Sequence, residues 1–253
     1  MTVPILEAID VVKFLGQGAG RVQALKGVNF TLVGGELALL MGPSGSGKTT
    51  LLSILGCMLT PTSGTVLIGG QSTAGATPED LAKLRREHVG FVFQSYHLFP
   101  TLSAVDNVRL ALDVRGEDAA TSRAKAKEAM TVVGLGHKLR SYPRELSGGE
   151  QQRVAIARAL VANPSAVLAD EPTAALDTDN GQAVMAVLAE IAKNSSRGVL
   201  VVAHDPRIIP FAHRIIHIED GRIVGTEPGG AAANNNAKIN SNINARNHSR
   251  NKQ

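Results

Sequence analysis

Short apolar runs at residues 37–41, 89–93, 166–169 and 198–203 punctuate stretches in which apolar residues recur at intervals of three and four. The runs predict buried strands, and the intervals predict helices that bury one face. Up to residue 70 the pattern is β-rich around a single helix. Strands are expected over 5–12 and 28–32, separated by the glycine-bearing turn at 16–20, then over 37–41 and 64–70. A helix starting near Lys48 is expected to continue through 51–59 and to stop before Pro61. Pro78 opens a further short helix to residue 86, with proline in its first turn. From about residue 95 to 160 the character changes: 103–111, 121–133 and 147–162 carry helical spacing with no strand-like run between them. A helical subdomain is expected there. Alternation then resumes, with strands over 166–170, 198–203 and 214–218, helices over 178–193 and 206–212, and a turn at Asp220-Gly221 into 222–224. Such alternation implies an α/β domain with a largely parallel sheet, whose ligands bind at the carboxyl ends of its strands.

One of those ends carries Gly42-Pro43-Ser44-Gly45-Ser46-Gly47-Lys48-Thr49-Thr50, set between an apolar strand and an apolar helix. Glycines let successive backbone N–H groups turn inward around phosphates, and the positive end of the following helix points at the same place. In a phosphate-binding loop of this form the lysine reaches the β- and γ-phosphates and the hydroxyl after it ligates Mg²⁺. Lys48 and Thr49 are the residues expected in those roles, with Ser44, Gly45, Ser46, Gly47 and Thr50 completing an ATP cradle.

Three other strand ends carry chemistry. Asp170 closes an apolar strand where it can hold Mg²⁺, and Glu171 follows where a carboxylate can orient or deprotonate an attacking water. Gln94 ends the 89–93 run with a side-chain oxygen suited to Mg²⁺ or to the lytic water. His204 ends the 198–203 run in a position to contact a γ-phosphate. A second glycine-rich element, Ser147-Gly148-Gly149-Glu150, stands at the start of a helix with a capping serine and exposed amides, so it also suits an anion. One triphosphate rarely needs two cradles in one chain. If each cradle closes on the nucleotide of another copy, a two-fold homodimer with two sandwiched nucleotides results, and Asp177 is placed to connect the sites across its interface.

Composition narrows the class. The chain of 253 residues has no run of 18 apolar residues and no cleavage pattern near its start, so neither a membrane-spanning nor a secreted protein is expected. Its one cysteine, Cys57, sits in what reads as helix and is expected to be a buried thiol. The net charge of +4 resides in Lys238, Arg246, Arg250 and Lys252 of an acid-free, Asn-rich stretch over 229–253, leaving the body balanced. Domains are therefore expected over 1–228 and, as a disordered tail, over 229–253, with no specific nucleic-acid partner.

Taken together these residues resemble the ATP-binding-cassette ATPases over about 5–227. Residues 42–49 match the family's Walker A motif, Gln94 its Q-loop, 146–150 its signature, 167–170 its Walker B, Glu171 its catalytic glutamate, 174–177 its D-loop and His204 its switch histidine. The resemblance implies a P-loop NTPase core with an N-terminal antiparallel β subdomain and an inserted α-helical subdomain. It also implies a homodimer that closes on ATP and Mg²⁺ with Ser147, Gly148, Gly149, Glu150 and Asp177 acting in trans, and hydrolysis by Glu171, His204 and Gln94. Such subunits drive an integral membrane permease from the cytoplasmic face of the plasma or inner membrane. Residues 90–94, 151–160 and 169–173 look like the macrolide and lipoprotein exporter branch. Residues 174–177, 203–208 and 218–222 resemble the cyanobacterial DevA-type ATPases linked to heterocyst glycolipid export, which implies a periplasmic adaptor and an outer-membrane channel. The alternative class is the soluble cassette of DNA repair or translation, against which stands the short interval between Gln94 and Ser147. Two departures are visible: the family stacks adenine on an aromatic near position 15, where this chain has Phe14 followed by Leu15, and its signature ends in Glu150 rather than Gln. Either Phe14 serves as the stacking ring or Leu15 makes a weaker apolar contact.

Overall fold

The computed structural model describes residues 4–231. In chain order it runs β1 (Pro4–Leu15), β2 (Val22–Val33), β3 (Leu37–Met41), α1 (Lys48–Leu55), β4 (Ser63–Ile68), β5 (Gln71–Ser72), α2 (Pro78–His88) and β6 (Val89–Val92). There follow α3 (Ala104–Asp113), α4 (Ala119–Val132), α5 (Gly148–Leu160), β7 (Ala166–Asp170), α6 (Thr178–Ala192), β8 (Gly198–Val202), β9 (Arg214–Glu219) and β10 (Arg222–Pro228). Two sheets form: an antiparallel one in the order β2-β1-β4-β5, and a six-stranded one in the order β10-β9-β3-β8-β7-β6. The second is parallel except for the β9–β10 hairpin at its edge.

Alternation along β3 shows how the layers assemble. Leu37 and Leu39 enter a core shared with α3, α4, α5 and α6, whereas Ala38 and Leu40 face α1 and the antiparallel sheet. The strand is buried on both faces, which is why its sequence is an unbroken apolar run. Met130 and Val133 of the helical region, Val154 and Ile156 of α5, and Val167 and Val199 of the sheet belong to one cluster, so the helices share the sheet's core. Helix starts follow local chemistry: Ser103, Asp118 and Asp177 accept hydrogen bonds from backbone N–H groups of the first turns of α3, α4 and α6. Thr77 with Asp80 and Ser147 with Glu150 form reciprocal capping boxes on α2 and α5.

Several boundaries differ from expectation. Both N-terminal strands are longer, because β1 and β2 stay paired to Leu15 and Val22 through repeated register shifts. α1 stops at Leu55 rather than near residue 59. The N–H groups of Met58 and Leu59 both donate to Ser53 O, and Cys57, at φ 54°, turns the chain out of the helix. Cys57 is therefore not helical, although its thiol is buried, and burial pushes its pKa up to about 11 against the opposing pull of Arg85. The Asp220-Gly221 turn forms as read, with both residues left-handed at φ 45° and 74°, and its second strand extends to Pro228. Of the tail expected over 229–253, residues 232–253 lie outside the described residues. Gly229 and Ala231 are held instead by N–H donation to His213 O and Ala212 O, both at 2.9 Å.

Candidate active site

Register brings the four strand ends to one edge of the sheet. Leu40 of β3 and Asp170 of β7 both pair with Val202 of β8, and Val92 of β6 pairs with Ala169. The segments that start at Gly42, Glu171, Ala203 and Phe93 therefore leave the sheet side by side, although they are far apart in sequence.

Gly45 and Gly47 take φ of 77° and 103°, which wraps the loop before α1. Gly42 is needed for another reason: a Cβ there would lie 2.0 Å from Ile218 O. Lys48 is 8% exposed and curls back, its Nζ donating to Gly42 O and Pro43 O at 2.8 and 2.7 Å. Ser46 Oγ is buried without a partner. The amides at the start of α1 also lack intrahelical acceptors, as at any helix N-terminus. An orphaned hydroxyl, a concentrated ammonium and free amides fit a bound polyphosphate, which supplies acceptor oxygens to all three.

Asp170 and Glu171 occupy different environments. Thr49 Oγ1 donates to Asp170 Oδ1 across a long 3.4 Å. Burial raises the Asp170 pKa above the usual carboxylate range, Glu171 adds to the rise, and the Thr49 hydrogen bond and Lys48 oppose it. A divalent cation beside these oxygens would remove that penalty. Among the described residues no group of three or more His, Cys, Asp or Glu gathers into a metal site. Mg²⁺ held mostly by phosphates and water needs only one or two protein oxygens, so Thr49 and Asp170 suffice. Glu171 sits at φ 46°, a left-handed conformation that disfavours a side-chain-bearing residue by about 1–2 kcal/mol. Its N–H donates to Val202 O at 2.9 Å, which holds that conformation, and its Oε1 lies 3.3 Å from His204 Nδ1.

The loop, Glu171 and His204 line one cleft of about 730 Å³, and Asp170, outside the lining, joins it through its contact with Thr49. Gly42, Ser44, Gly45, Gly47, Lys48, Thr49 and Thr50 form its floor, and Glu171 and His204 one wall. The opposite wall is Leu15, Val22, Gln23 and Ala24 from the β1–β2 pair. Of the two alternatives for the base contact, Leu15 is part of this lining and Phe14 is not. Neighbouring strand residues face opposite sides, and the Phe14 ring lies under the Arg21 guanidinium at 4.1 Å. Gln94 is exposed just beyond β6 and also outside the lining, as are Ser147, Gly148, Gly149, Glu150 and Asp177.

Those signature residues are engaged locally. Ser147 N–H donates to Glu150 Oε2 at 2.8 Å, which holds the Glu150 carboxyl below the usual range. Glu and Gln satisfy this capping box equally, so Glu150 preserves the helix start. Asp177 accepts from Asn180 N and Nδ2 at 2.9 and 2.8 Å and is likewise held low. Sequence reasoning missed one support altogether. The Asp220-Gly221 turn buttresses the phosphate loop: Gly221 N–H donates to Ser46 O at 3.0 Å and Lys26 N–H to Gly221 O at 2.8 Å. A Cβ on Gly47 or on Gly221 would lie 2.7 Å from Ala24 O. The turn was legible as a hairpin; its docking 175 residues away was not.

Comparison with known proteins gives the same picture. A family model described as ABC transporter matches residues 25–174. The macrolide export ATP-binding/permease protein MacB of Acinetobacter baylyi is 46% identical over 220 residues, 87% of this chain and 33% of that protein. This chain thus spans about a third of the length of the curated macrolide-export relatives it matches. An uncharacterized ABC transporter ATP-binding protein of Thermotoga maritima is 44% identical, with 88% of this chain and 95% of that one aligned. Among solved structures, the dimeric ATP-binding cassette MJ0796 in a post-hydrolysis state with ADP and Pi superposes with a TM-score of 0.80. It is 40% identical over 88% of this chain and 98% of that one. These relatives favour the transport reading over soluble repair or translation. Because the matched region contains the phosphate loop, the signature element and the acidic pair, the chain belongs to the ABC transporter family, as one of its ATP-hydrolysing cassettes.

Proposed function

We propose that this chain is the ATPase subunit of an export complex, working as a homodimer on a separate integral membrane permease at the cytoplasmic face of the membrane. The observation that carries the reading is the division of the chemistry within one copy. The loop, Glu171 and His204 share a cleft, with Asp170 joined to its floor through Thr49, while the Ser147–Gly149 element, with Ser147 exposed, Gly148 half-buried and Gly149 buried, lies away from it. In this reading a second copy brings its Ser147–Gly149 element, with Glu150 and Asp177, over the first copy's cleft, so closure depends on ATP. Lys48 and the loop amides hold the phosphates, and Thr49, Asp170 and Gln94 would hold Mg²⁺, which would neutralise charge on the transferred phosphoryl group and the departing ADP. Glu171 accepts a proton from the attacking water, and His204 orients the γ-phosphate while fixed against Glu171. Leu15 and Val22 supply the apolar contact for the base. Residues 1–228 form the cassette, with 95–160 as its helical subdomain.

Similarity to proteins named for macrolide export supports an outward direction. Among the described residues no helix is long and apolar enough to cross a membrane, so the spanning part belongs to another polypeptide or segment. The finer likeness to DevA-type subunits at 174–177, 203–208 and 218–222 supports a complex with a periplasmic adaptor and an outer-membrane channel. The deciding measurement is steady-state ATPase activity with ATP-dependent dimerisation. Glu171→Gln is expected to keep ATP binding, accumulate dimer and lose hydrolysis by about 100-fold or more. Lys48→Ala is expected to weaken ATP binding itself. Equal turnover in Glu171→Gln and the parent rejects the role of Glu171.

A further inference from the structure

Three points on α5 hold the segment that carries Gln94. At its start, a Cβ added to Gly148 would meet the Tyr96 hydroxyl at 2.9 Å, so the tyrosine ring packs on the signature element itself. One turn further, the fully buried Gln152 directs its Nε2 at Phe93 O across 3.4 Å. Near the end of the helix, the Arg158 guanidinium donates to both Tyr96 O and His97 O, at 2.7 and 2.5 Å. Gln94 lies between these anchors and, among the described residues, makes no side-chain hydrogen bond to α5.

The geometry at the third anchor is unusual. Tyr96 and His97 are consecutive non-glycine residues in the left-handed region, at φ 56° and 50°. Two such residues persist only where their surroundings over-determine them. The surroundings here are the two carbonyls captured by one guanidinium fork, with the His97 ring set edge-on against Phe93 at 4.8 Å between centroids. Burial depresses the Arg158 pKa, and an arginine guanidinium keeps its charge in a protein.

We propose that Arg158 is a positioning residue for hydrolysis: by clamping the strained Tyr96-His97 turn to α5, it fixes Gln94 relative to the Ser147–Gly149 element that begins the same helix. The inference rests on the role proposed above for Gln94. A movement of α5 then carries the segment after β6 with it, because the helix grips that segment at points spread over about 15 Å of its length.

The test is a double-mutant cycle on the full chain, with Arg158→Met and Gln94→Ala singly and together, reading kcat, KM for ATP, direct ATP binding and thermal stability. Arg158→Met is expected to lower kcat about tenfold with KM for ATP changed less than twofold. In the Gln94→Ala background the same substitution should change kcat less than twofold. Arg158→Lys, which keeps the charge without the planar fork, should recover part of the loss. A full Arg158→Met effect in the Gln94→Ala background, or an unchanged kcat in the single variant, overturns the proposal. If Arg158→Met does not fold, Arg158→Lys carries the same cycle. A parent chain that binds but does not hydrolyse ATP would instead count against the proposed function, which keeps the two failures distinct.

Discussion

Gly149→Ala is the substitution whose outcome the packing determines most closely. Gly149 is the second residue of α5, and an ideal Cβ there would lie 2.4 Å from Asn180 Oδ1, 2.7 Å from its Cγ and 2.9 Å from its Cβ. Rotating Asn180 about χ1 removes the first two contacts but breaks the bond from Asn180 Nδ2 to Asp177, worth about 1 kcal/mol. The third contact is with Cβ, which no rotation moves, so α5 and α6 must separate by some tenths of an ångström. Overpacking of this sort destabilises by about 1–3 kcal/mol. Alanine recovers up to about 1 kcal/mol of helix propensity, less at a first-turn position. The net expectation is a destabilisation of about 1–3 kcal/mol, or a Tm lowered by roughly 2–12 °C for a chain of this size. Urea denaturation of Gly149→Ala, Asn180→Gly and the double variant isolates the term. Asn180→Gly removes all three contacts, and its own helix cost cancels in the cycle. Gly149→Ala should then be neutral or stabilising in that background. Additive single effects within about 0.5 kcal/mol would refute the argument that Asn180 is what requires glycine.

Other outcomes follow from the cleft. Burial raises the Asp170 pKa above its unfolded value, so its ionised form opposes folding; the penalty is absent below the unfolded pKa and complete above the folded one. Asp170→Asn should therefore raise Tm at about pH 7 and leave it unchanged near about pH 3, while Mg²⁺-dependent turnover falls. Equal Tm differences at both pH values, followed by scanning calorimetry, would contradict this. Because Leu15 and not Phe14 faces the cleft, Leu15→Tyr should tighten ATP binding about fivefold by adding a stacking surface, with Phe14→Ala changing it less than twofold. Isothermal titration with ATP distinguishes the two, and a larger effect from Phe14→Ala would restore the phenylalanine as the base contact.

What the sequence determined by itself was local. Apolar runs specified the strands of the parallel sheet, since a strand buried on both faces has few other ways to read, and capping residues specified where α2 to α6 begin. The phosphate loop was legible because the left-handed turns at Gly45 and Gly47 are backbone requirements of the loop itself, although Gly42 answers to the distant Ile218 O. The ends of elements were less so: α1 stops four residues early because Cys57 turns left-handed, an outcome no propensity announces. Tertiary structure alone decided which groups meet. Register across β3, β8 and β7 gathers Lys48, Glu171 and His204 onto one cleft and brings Asp170 against Thr49 at its floor. Strand alternation turned Leu15 inward and put Phe14 under Arg21, a one-residue matter of facing that the shifted register of β1 conceals from the sequence. The docking of Gly221 on the loop and of Arg158 on the Tyr96-His97 turn are contacts between distant segments, whose positions only the packed core fixes.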